Sequence, residues 1–390
     1  MHIGIDLRCL PSDGSPGAGI AHAAKALSKA LVALPNQDIR WTMFMPKGAA
    51  PGAEDWLVRQ KPISTHIIRL DHAGGAALRR ALARTPIDLL FVPSGAIPPG
   101  IRCPTVPWVH DIAIFDHPEW FSEPFMRRAV TTSLFRHGVM RSKRVLCVSE
   151  FTKQELQNRF GLKGEQIVVT NEGGDPVLSG LEGEALLHAK QRARYRVAER
   201  GISNPYILCM GTIEPRKNIP MLLDAWLRAR EKFNHPVDIL VAGRDGWKMG
   251  PILHALKEGW AVPSENGSRL HRIEMPTDED RRDLLLGAQI VAVPSLHEGF
   301  GLVALEGMQA GSAVLTSNAG ALPEVVGSDG ISISPQDVEA WERALIRVMD
   351  NEVSRRALAE KGKERSRAMT WEKAAGISLE VLLQAASRSV

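Results

Sequence analysis

The stretch Pro205-Tyr-Ile-Leu-Cys-Met-Gly211-Thr-Ile-Glu-Pro-Arg-Lys-Asn218 decides how the chain is read. Its first six residues form a short apolar run closed by a glycine, as expected of a strand buried on both faces. A helical pattern opens at Ile219-Pro220, and proline is well tolerated in a first helical turn. Strand, short loop and helix make one α/β unit. The loop places Arg216 and Lys217 beyond the carboxyl end of the strand, where open α/β sheets bind ligands. Arginine offers phosphate a planar fork and lysine a compact charge, so the adjacent pair suits a diphosphate. A surface loop with incidental basic residues is the plainer alternative.

The same alternation runs outward in both directions. It predicts strands at Ile3–Asp6, Trp41–Met45, Leu89–Val92, Thr105–Val109, Val145–Val148 and Ile167–Thr170 in the first half. In the second half it predicts Pro205–Met210, Asp238–Ala242, Ile290–Val293 and Ala313–Thr316. The fold class is therefore α/β, with two Rossmann-like domains and a cleft between them. The expected boundaries are 1–180 and 181–370, with a helical, charged linker near Glu182 to Arg200. Trp371 to Leu383 reads as an amphipathic helix, and the tail 371–390 is expected to join the first domain.

The second chemical element is Glu298-Gly-Phe-Gly-Leu-Val-Ala-Leu-Glu306. A tight loop precedes a helix starting near Leu302, and a helix N-terminus is a ready anion site. Seven residues separate the two glutamates, Glu298 before the helix and Glu306 inside it. Carboxylates accept hydrogen bonds from vicinal sugar hydroxyls. The alternative for Glu298 is charge complementation of the helix start. Ser317-Asn-Ala-Gly-Ala-Leu-Pro-Glu324 reads as a strand-to-helix turn lined with small residues.

In the first half, Gly14-Ser-Pro-Gly17-Ala-Gly19-Ile20 follows the first strand without being a dinucleotide fingerprint. His110-Asp111 ends the run Val106-Pro-Trp-Val109, again at a strand's carboxyl end. Ser149-Glu150-Phe151-Thr152 follows another strand, and Asn171-Glu-Gly-Gly-Asp175 forms a later turn to which no role is assigned.

Together these motifs resemble the retaining glycosyltransferases of family 4, whose GT-B fold is two facing Rossmann-like domains. The family's E-G-F-G-L-x-x-x-E is matched from Glu298 to Glu306, and its G-x-x-x-x-R-K-N at Gly211, Arg216, Lys217 and Asn218. The resemblance spans nearly the whole chain and is densest over 205–330. It implies that Arg216 and Lys217 bind the donor diphosphate and that Glu306 binds ribose hydroxyls. Glu298 would contact the transferred sugar, and Phe300, Gly301 and Leu302 would approach the phosphates. It also implies that Gly17 and Gly19 lie against donor and acceptor, and that His110 supports the sugar and the transition state. His110 to Phe125, which includes His117-Pro-Glu-Trp-Phe121, resembles the mannosyltransferase subset, implying mannose carried by GDP. The expected reaction is hexosyl transfer with retention, by front-face displacement and without a metal or other cofactor. The acceptor would be a glycan or lipid-linked hydroxyl in surface polysaccharide synthesis. A UDP-sugar donor, a nucleotide-sugar epimerase, a glycoside hydrolase and a non-catalytic binding module are the rival readings.

Composition is ordinary for a soluble globular protein: 390 residues, 44% hydrophobic and 24% charged. No apolar run of roughly 18 residues and no signal-peptide pattern is found, so a cytoplasmic protein is expected. Cys9, Cys103, Cys147 and Cys209 are scattered and read as reduced thiols without metal-ligand spacing. Residues 1–180 hold 21 basic and 16 acidic residues, the remainder 27 and 28. The excess is densest at Arg127, Arg128, Arg136, Arg141, Lys143 and Arg144. That stretch is either a solvated helix face or a patch that rests on anionic lipid at the inner face of the cell membrane or holds an anionic acceptor. Neither a stacking aromatic motif nor a DNA-reading motif is present, so nucleic acid is not an expected partner.

Overall fold

The apolar runs of the first half form a seven-stranded parallel sheet. Its strands are β1 (His2–Asp6), β2 (Arg40–Pro46), β3 (Thr65–Leu70), β4 (Leu89–Val92), β5 (Thr105–Val109), β6 (Val145–Cys147) and β7 (Ile167–Val169). Their order is β3-β2-β1-β4-β5-β6-β7. The second half builds a six-stranded parallel sheet from β8 (Tyr206–Met210), β9 (Asp238–Ala242), β10 (Leu270–Ile273), β11 (Ile290–Val293), β12 (Ala313–Ser317) and β13 (Ile331–Ile333). There the order is β10-β9-β8-β11-β12-β13. Both are doubly wound sheets of the Rossmann type, and the strand order reverses between β1 and β4 and between β8 and β11. This computed structural model describes residues 1–12, 19–35, 38–49, 65–261, 264–328 and 330–387.

Every predicted strand is present. The three that were not predicted, β3, β10 and β13, are all sheet edges. Thr65-His-Ile-Ile-Arg-Leu70 and Leu270-His-Arg-Ile273 carry charge and are only partly buried. An edge strand has one row of unpaired backbone and one wet side, so it can dispense with a continuous apolar run, although the edge strand β7 keeps one.

The chain divides into two units, Met1–Asp116 with Glu123–Gly173 and Thr370–Val390, and His117–Ser122 with Gly174–Met369. The boundary falls at Gly173/Gly174 rather than at 180/181. The cause is local: Asp175 caps the short helix Pro176–Ser179 and binds Arg282, while Lys363 Nζ donates to Leu178 O at 3.0 Å. The helix Trp371–Ser387 belongs to the first unit, where it packs on the helix Ile20–Ala33. Of the cysteines, Cys147 and Cys209 are buried, Cys9 and Cys103 half-buried, and all four are free.

In the second unit, the helix Ile219–Ala229 shows how sequence spacing makes the core. Ile219, Leu222, Leu223 and Trp226 recur at helical spacing and are buried against β8, β9 and the helix Val338–Asp350. Each such side chain contributes roughly 1.5–3 kcal/mol by leaving water. The Trp226 indole N–H is satisfied by Val237 O at 3.1 Å.

The loop that leaves β8 lies directly on the loop that leaves β9. Gly243 has φ +145, and a Cβ there would stand 1.8 Å from Gly211 O. Gly243→Ala is therefore expected to cost about 2–5 kcal/mol through combined strain and overpacking. Urea unfolding measures this; a loss below about 0.5 kcal/mol would show that the Gly211 loop can move aside freely.

Candidate active site

In the second unit, the switch point lies between β8 and β11, and the loops leaving these two strands carry the motifs expected to bind the donor. Glu214 to Lys217 make one tight turn, and Asn218 (φ 54) ends it before the helix Ile219–Ala229. Asn218 Nδ2 donates to Pro294 O at 3.2 Å and Pro335 O at 2.7 Å, tying the turn to neighbouring loops. The two donor loops are also joined directly, Leu296 N donating to Arg216 O at 2.8 Å.

Glu298 sits at the centre. Lys217 Nζ donates to its Oε1 at 2.6 Å, Ser295 Oγ to the same oxygen at 2.8 Å, and Arg216 Nη1 to its Oε2 at 2.9 Å. Arg216 further donates to His297 O at 2.9 Å and to Glu214 Oε1 at 2.8 Å. Burial pushes the Glu298 carboxyl up, but Lys217 and Arg216, with the bonds from Lys217 and Ser295, outweigh it and hold the carboxyl at about 2. The three side chains expected to serve sugar and diphosphate thus lie together as one ion-pair cluster, a pairing that the sequence did not reveal. Lys217 Nζ donates one hydrogen to Glu298 and has two more for a ligand.

The turn after β12 supports this cluster from behind. Ala321 N donates to Glu298 O at 2.9 Å, and Ser317 Oγ donates to Ser295 O at 2.5 Å. Gly320 has φ +62, and a Cβ there would lie 2.3 Å from Glu298 O. The turn read as structural is therefore what presses Glu298 into place.

The helix Leu302–Gln309 begins at Gly301, as expected, and its first amides lie just past Glu298. Glu306, one turn inside, is buried and accepts from Arg281 Nη2 at 2.8 Å. Phe300 is 4% exposed, so its ring packs inside and only its backbone can face a ligand. The segment His117–Ser122 also packs on this unit: Trp247 Nε1 donates to Trp120 O at 2.5 Å, and Trp120 lies 6.4 Å from the His297 ring, centroid to centroid. The sequence that resembles mannosyltransferases is thereby placed beside the residue preceding Glu298.

In the first unit, His110 follows β5, and both of its ring nitrogens are engaged. Nδ1 lies 2.9 Å from Glu172 Oε1 and Nε2 lies 2.8 Å from Pro93 O. Pro93 follows β4, so this cluster also lies beside the sheet's switch point. Asp111 Oδ1 accepts from Ala113 N at 3.2 Å, which makes it a turn former. Ser149 caps the helix Glu150–Phe160, its Oγ accepting from Thr152 N at 3.0 Å. Gly19 starts the helix Ile20–Ala33 with its Cα facing open space, and Gly17 lies outside the described residues. The residues that sequence reasoning missed are Glu172, Glu214, Arg281 and Ser295. Glu172 and Glu214 lie at carboxyl ends of strands β7 and β8, a positional signal that could have singled them out.

Two family models match the chain: Glycosyltransferase Family 4 over residues 18–177, and Glycosyl transferases group 1 over 196–365. The chain belongs to the family 4 glycosyltransferases. The O-antigen chain mannosyltransferase B of Escherichia coli is 29% identical over 67% of this glycosyltransferase and 66% of the relative. The MMP alpha-(1->4)-mannosyltransferase of Mycolicibacterium hassiacum is 26% identical over 69% and 61%. The chain therefore spans about two thirds of the length of these relatives. Among solved structures, Anabaena HepE in complex with UDP-glucose superposes with a TM-score of 0.73 at 18% identity, covering 98% of this chain and 100% of that one. WaaG, a glycosyltransferase involved in lipopolysaccharide biosynthesis, gives 0.72 at 16% identity, with 97% and 99% covered. The expected GT-B fold is thereby shown.

The depressed Glu298 carboxyl makes a pH prediction for the glycosyltransferase. An acid whose folded-state value is lowered stabilises the protein above its unfolded value and loses that contribution as pH falls through the folded one. Glu298→Gln should be less stable than wild type by about 3 kcal/mol at pH 7. The gap should close between about pH 4.5 and about pH 2. Chemical unfolding of both proteins across that range is the check, and a gap independent of pH would refute the ion-pair account.

Proposed function

We propose that this glycosyltransferase moves mannose from GDP-mannose, with retention, to a hydroxyl of a glycan or lipid-linked acceptor in surface polysaccharide synthesis, such as O-antigen or exopolysaccharide. The observation that carries donor binding is the cluster of Arg216, Lys217 and Glu298 at the second sheet's switch point, beside the N-terminus of the helix Leu302–Gln309. Lys217, Arg216 and the amides of Gly301 and Leu302 would meet the diphosphate, and Glu306, held by Arg281, the ribose hydroxyls. Mannose is supported by the mannosyltransferase relatives and by the placement of Trp120 beside His297. A UDP-sugar is the second reading, since HepE of the same fold was crystallised with UDP-glucose.

The chemistry needs no metal. As the bond from the anomeric carbon to the diphosphate oxygen breaks, negative charge gathers on that oxygen, where Lys217, Arg216 and the helix amides would stabilise it. The acceptor oxygen bonds to the same face of the anomeric carbon, and its proton passes to the departing phosphate. Glu298 would keep both cations aligned before the donor arrives, and His110 would bind the sugar.

The helix Phe125–Arg141 supports contact with an anionic membrane. Phe125 and Met126 are 71% and 73% exposed, Val130 is exposed as well, and Arg127, Arg136 and Arg141 share the surface with them. Exposed apolar groups among cations suit a negatively charged lipid surface, each cation adding about 1 kcal/mol. Among the described residues no helix is long and apolar enough to cross a membrane.

Thermal shift with GDP, UDP and ADP tests the donor. GDP at 100 times its Kd should stabilise by about 2.7 kcal/mol, and Arg216→Ala with Lys217→Ala should abolish the shift. A larger shift with UDP would select the second reading, and an unchanged shift in the double variant would sink the diphosphate site. For the membrane, co-flotation with vesicles containing phosphatidylglycerol should be lost when Arg127, Arg136 and Arg141 are changed to Glu; equal flotation would refute the contact.

A further inference from the structure

His110 reaches its position through more than its own strand. Pro93 O can only accept, so His110 Nε2 carries a hydrogen at 2.8 Å from it. Glu172 Oε1, 2.9 Å from Nδ1, is likewise an acceptor, so the ring donates from both nitrogens as an imidazolium, and the two side chains are 9% and 5% exposed. The Trp108 ring lies 4.4 Å from the imidazole, centroid to centroid, tilted by 60°. Trp108 is itself held by its N–H bond to Thr170 Oγ1 at 3.0 Å and by an edge contact with Trp371. The imidazole is therefore fixed at two ends and on one face, all within the first unit.

The backbone after β7 is shaped to deliver Glu172. Asn171 adopts φ 56, a conformation costly for most side chains, and its Nδ2 donates to Val148 O at 3.2 Å. Gly173 follows, and a Cβ there would stand 2.3 Å from Trp371 N. The carboxylate is thus turned inward by a left-handed residue on one side and a tightly packed glycine on the other.

We propose that Glu172 is a positioning residue for sugar transfer: it anchors His110 Nδ1, so that Nε2–H is the edge that His110 presents to the transferred sugar. The two partners differ in kind. A hydrogen bond to an ionised carboxylate is roughly twice as strong as one to a neutral carbonyl. Glu172 is therefore the partner that stays, and Pro93 O is the partner that Nε2 exchanges for a sugar hydroxyl. Without the carboxylate, the ring is free to turn over and present the wrong nitrogen. This inference rests on the reading of His110 as a group that touches the sugar.

The test is a double-mutant cycle on nucleoside diphosphate release, using whichever of GDP-mannose, UDP-glucose and ADP-glucose is turned over fastest. Glu172→Gln keeps the shape and should lower kcat about 10–100-fold, with donor KM changed less than about 2-fold and Tm close to wild type. In a His110→Ala background the same substitution should cost less than about 2-fold more, because its effect travels through the ring. Wild-type kcat in Glu172→Gln beside an inactive His110→Ala would overturn the role of Glu172 and leave that of His110 intact. Multiplying losses in the double variant would overturn it too, and Glu172→Asp, which keeps the charge, separates lost positioning from a misfolded site by recovering part of kcat. Full turnover in His110→Ala would remove both assignments.

Discussion

The second unit is organised around a charge that is largely shielded from water. Glu298 is 8% exposed and carries its negative charge because Lys217, Arg216 and Ser295 surround it. Breaking such a pair typically costs 3–5 kcal/mol, since the surviving charge is left without compensation. The surroundings are accordingly built to prevent that. Leu296 and Arg216 share a backbone hydrogen bond, Glu214 takes the far side of the guanidinium, and Gly320 lets another loop lie against the Glu298 backbone. Three strand ends of one sheet, β8, β11 and β12, are thereby held in register at their carboxyl ends.

That constraint explains which parts of the molecule could be read from sequence. Central strands such as Tyr206–Met210 and Ile290–Val293 are buried on both faces and show as unbroken apolar runs. The edge strands β3, β10 and β13 have no such run and escape the same rule, whereas the edge strand β7, an unbroken Ile167-Val-Val169, does not. The loop-to-helix geometry of residues 211–218 and 298–306 was legible because each stretch is local: a loop, a helix start and the charged groups lie within ten residues. Their mutual pairing was not legible, because Arg216 and Glu298 lie 82 positions apart.

The same limit hid Glu172. It sits 62 positions from His110, in a turn whose sequence suggested only a change of direction. Arg281 was hidden from Glu306 in the same way, at 25 positions. In each case the catalytic or binding candidate was found from its motif, whereas its partner is a single residue on another element, Glu172 in the turn after β7 and Arg281 in the helix Asp278–Gly287. Doubly wound sheets make this general: parallel strands bring together loops that are separated by whole crossover helices.

His110 and the Arg216–Lys217 pair share one design despite lying in different units. Each is oriented by a buried carboxylate, Glu172 for the imidazole and Glu298 for the cations, and in the proposed site these are the donors that would meet the ligand. Burying a carboxylate is costly, and an apolar residue of similar volume would often be as stable. What the carboxylate adds is direction. A donor that is aligned before the substrate arrives loses no further freedom when charge develops on the leaving group, and preorganised dipoles of this kind supply much of an enzyme's rate. The pairing also sets how tightly the resting cations are held. Lys217 and Arg216 are paired with Glu298 and Glu214, so in the proposed site an incoming diphosphate would meet a charge-balanced cluster. In the proposed site its affinity would come from the hydrogens still available on Lys217 and the amides at Gly301 and Leu302, together with the charge of Arg216, which would favour a ligand that reaches all of them at once.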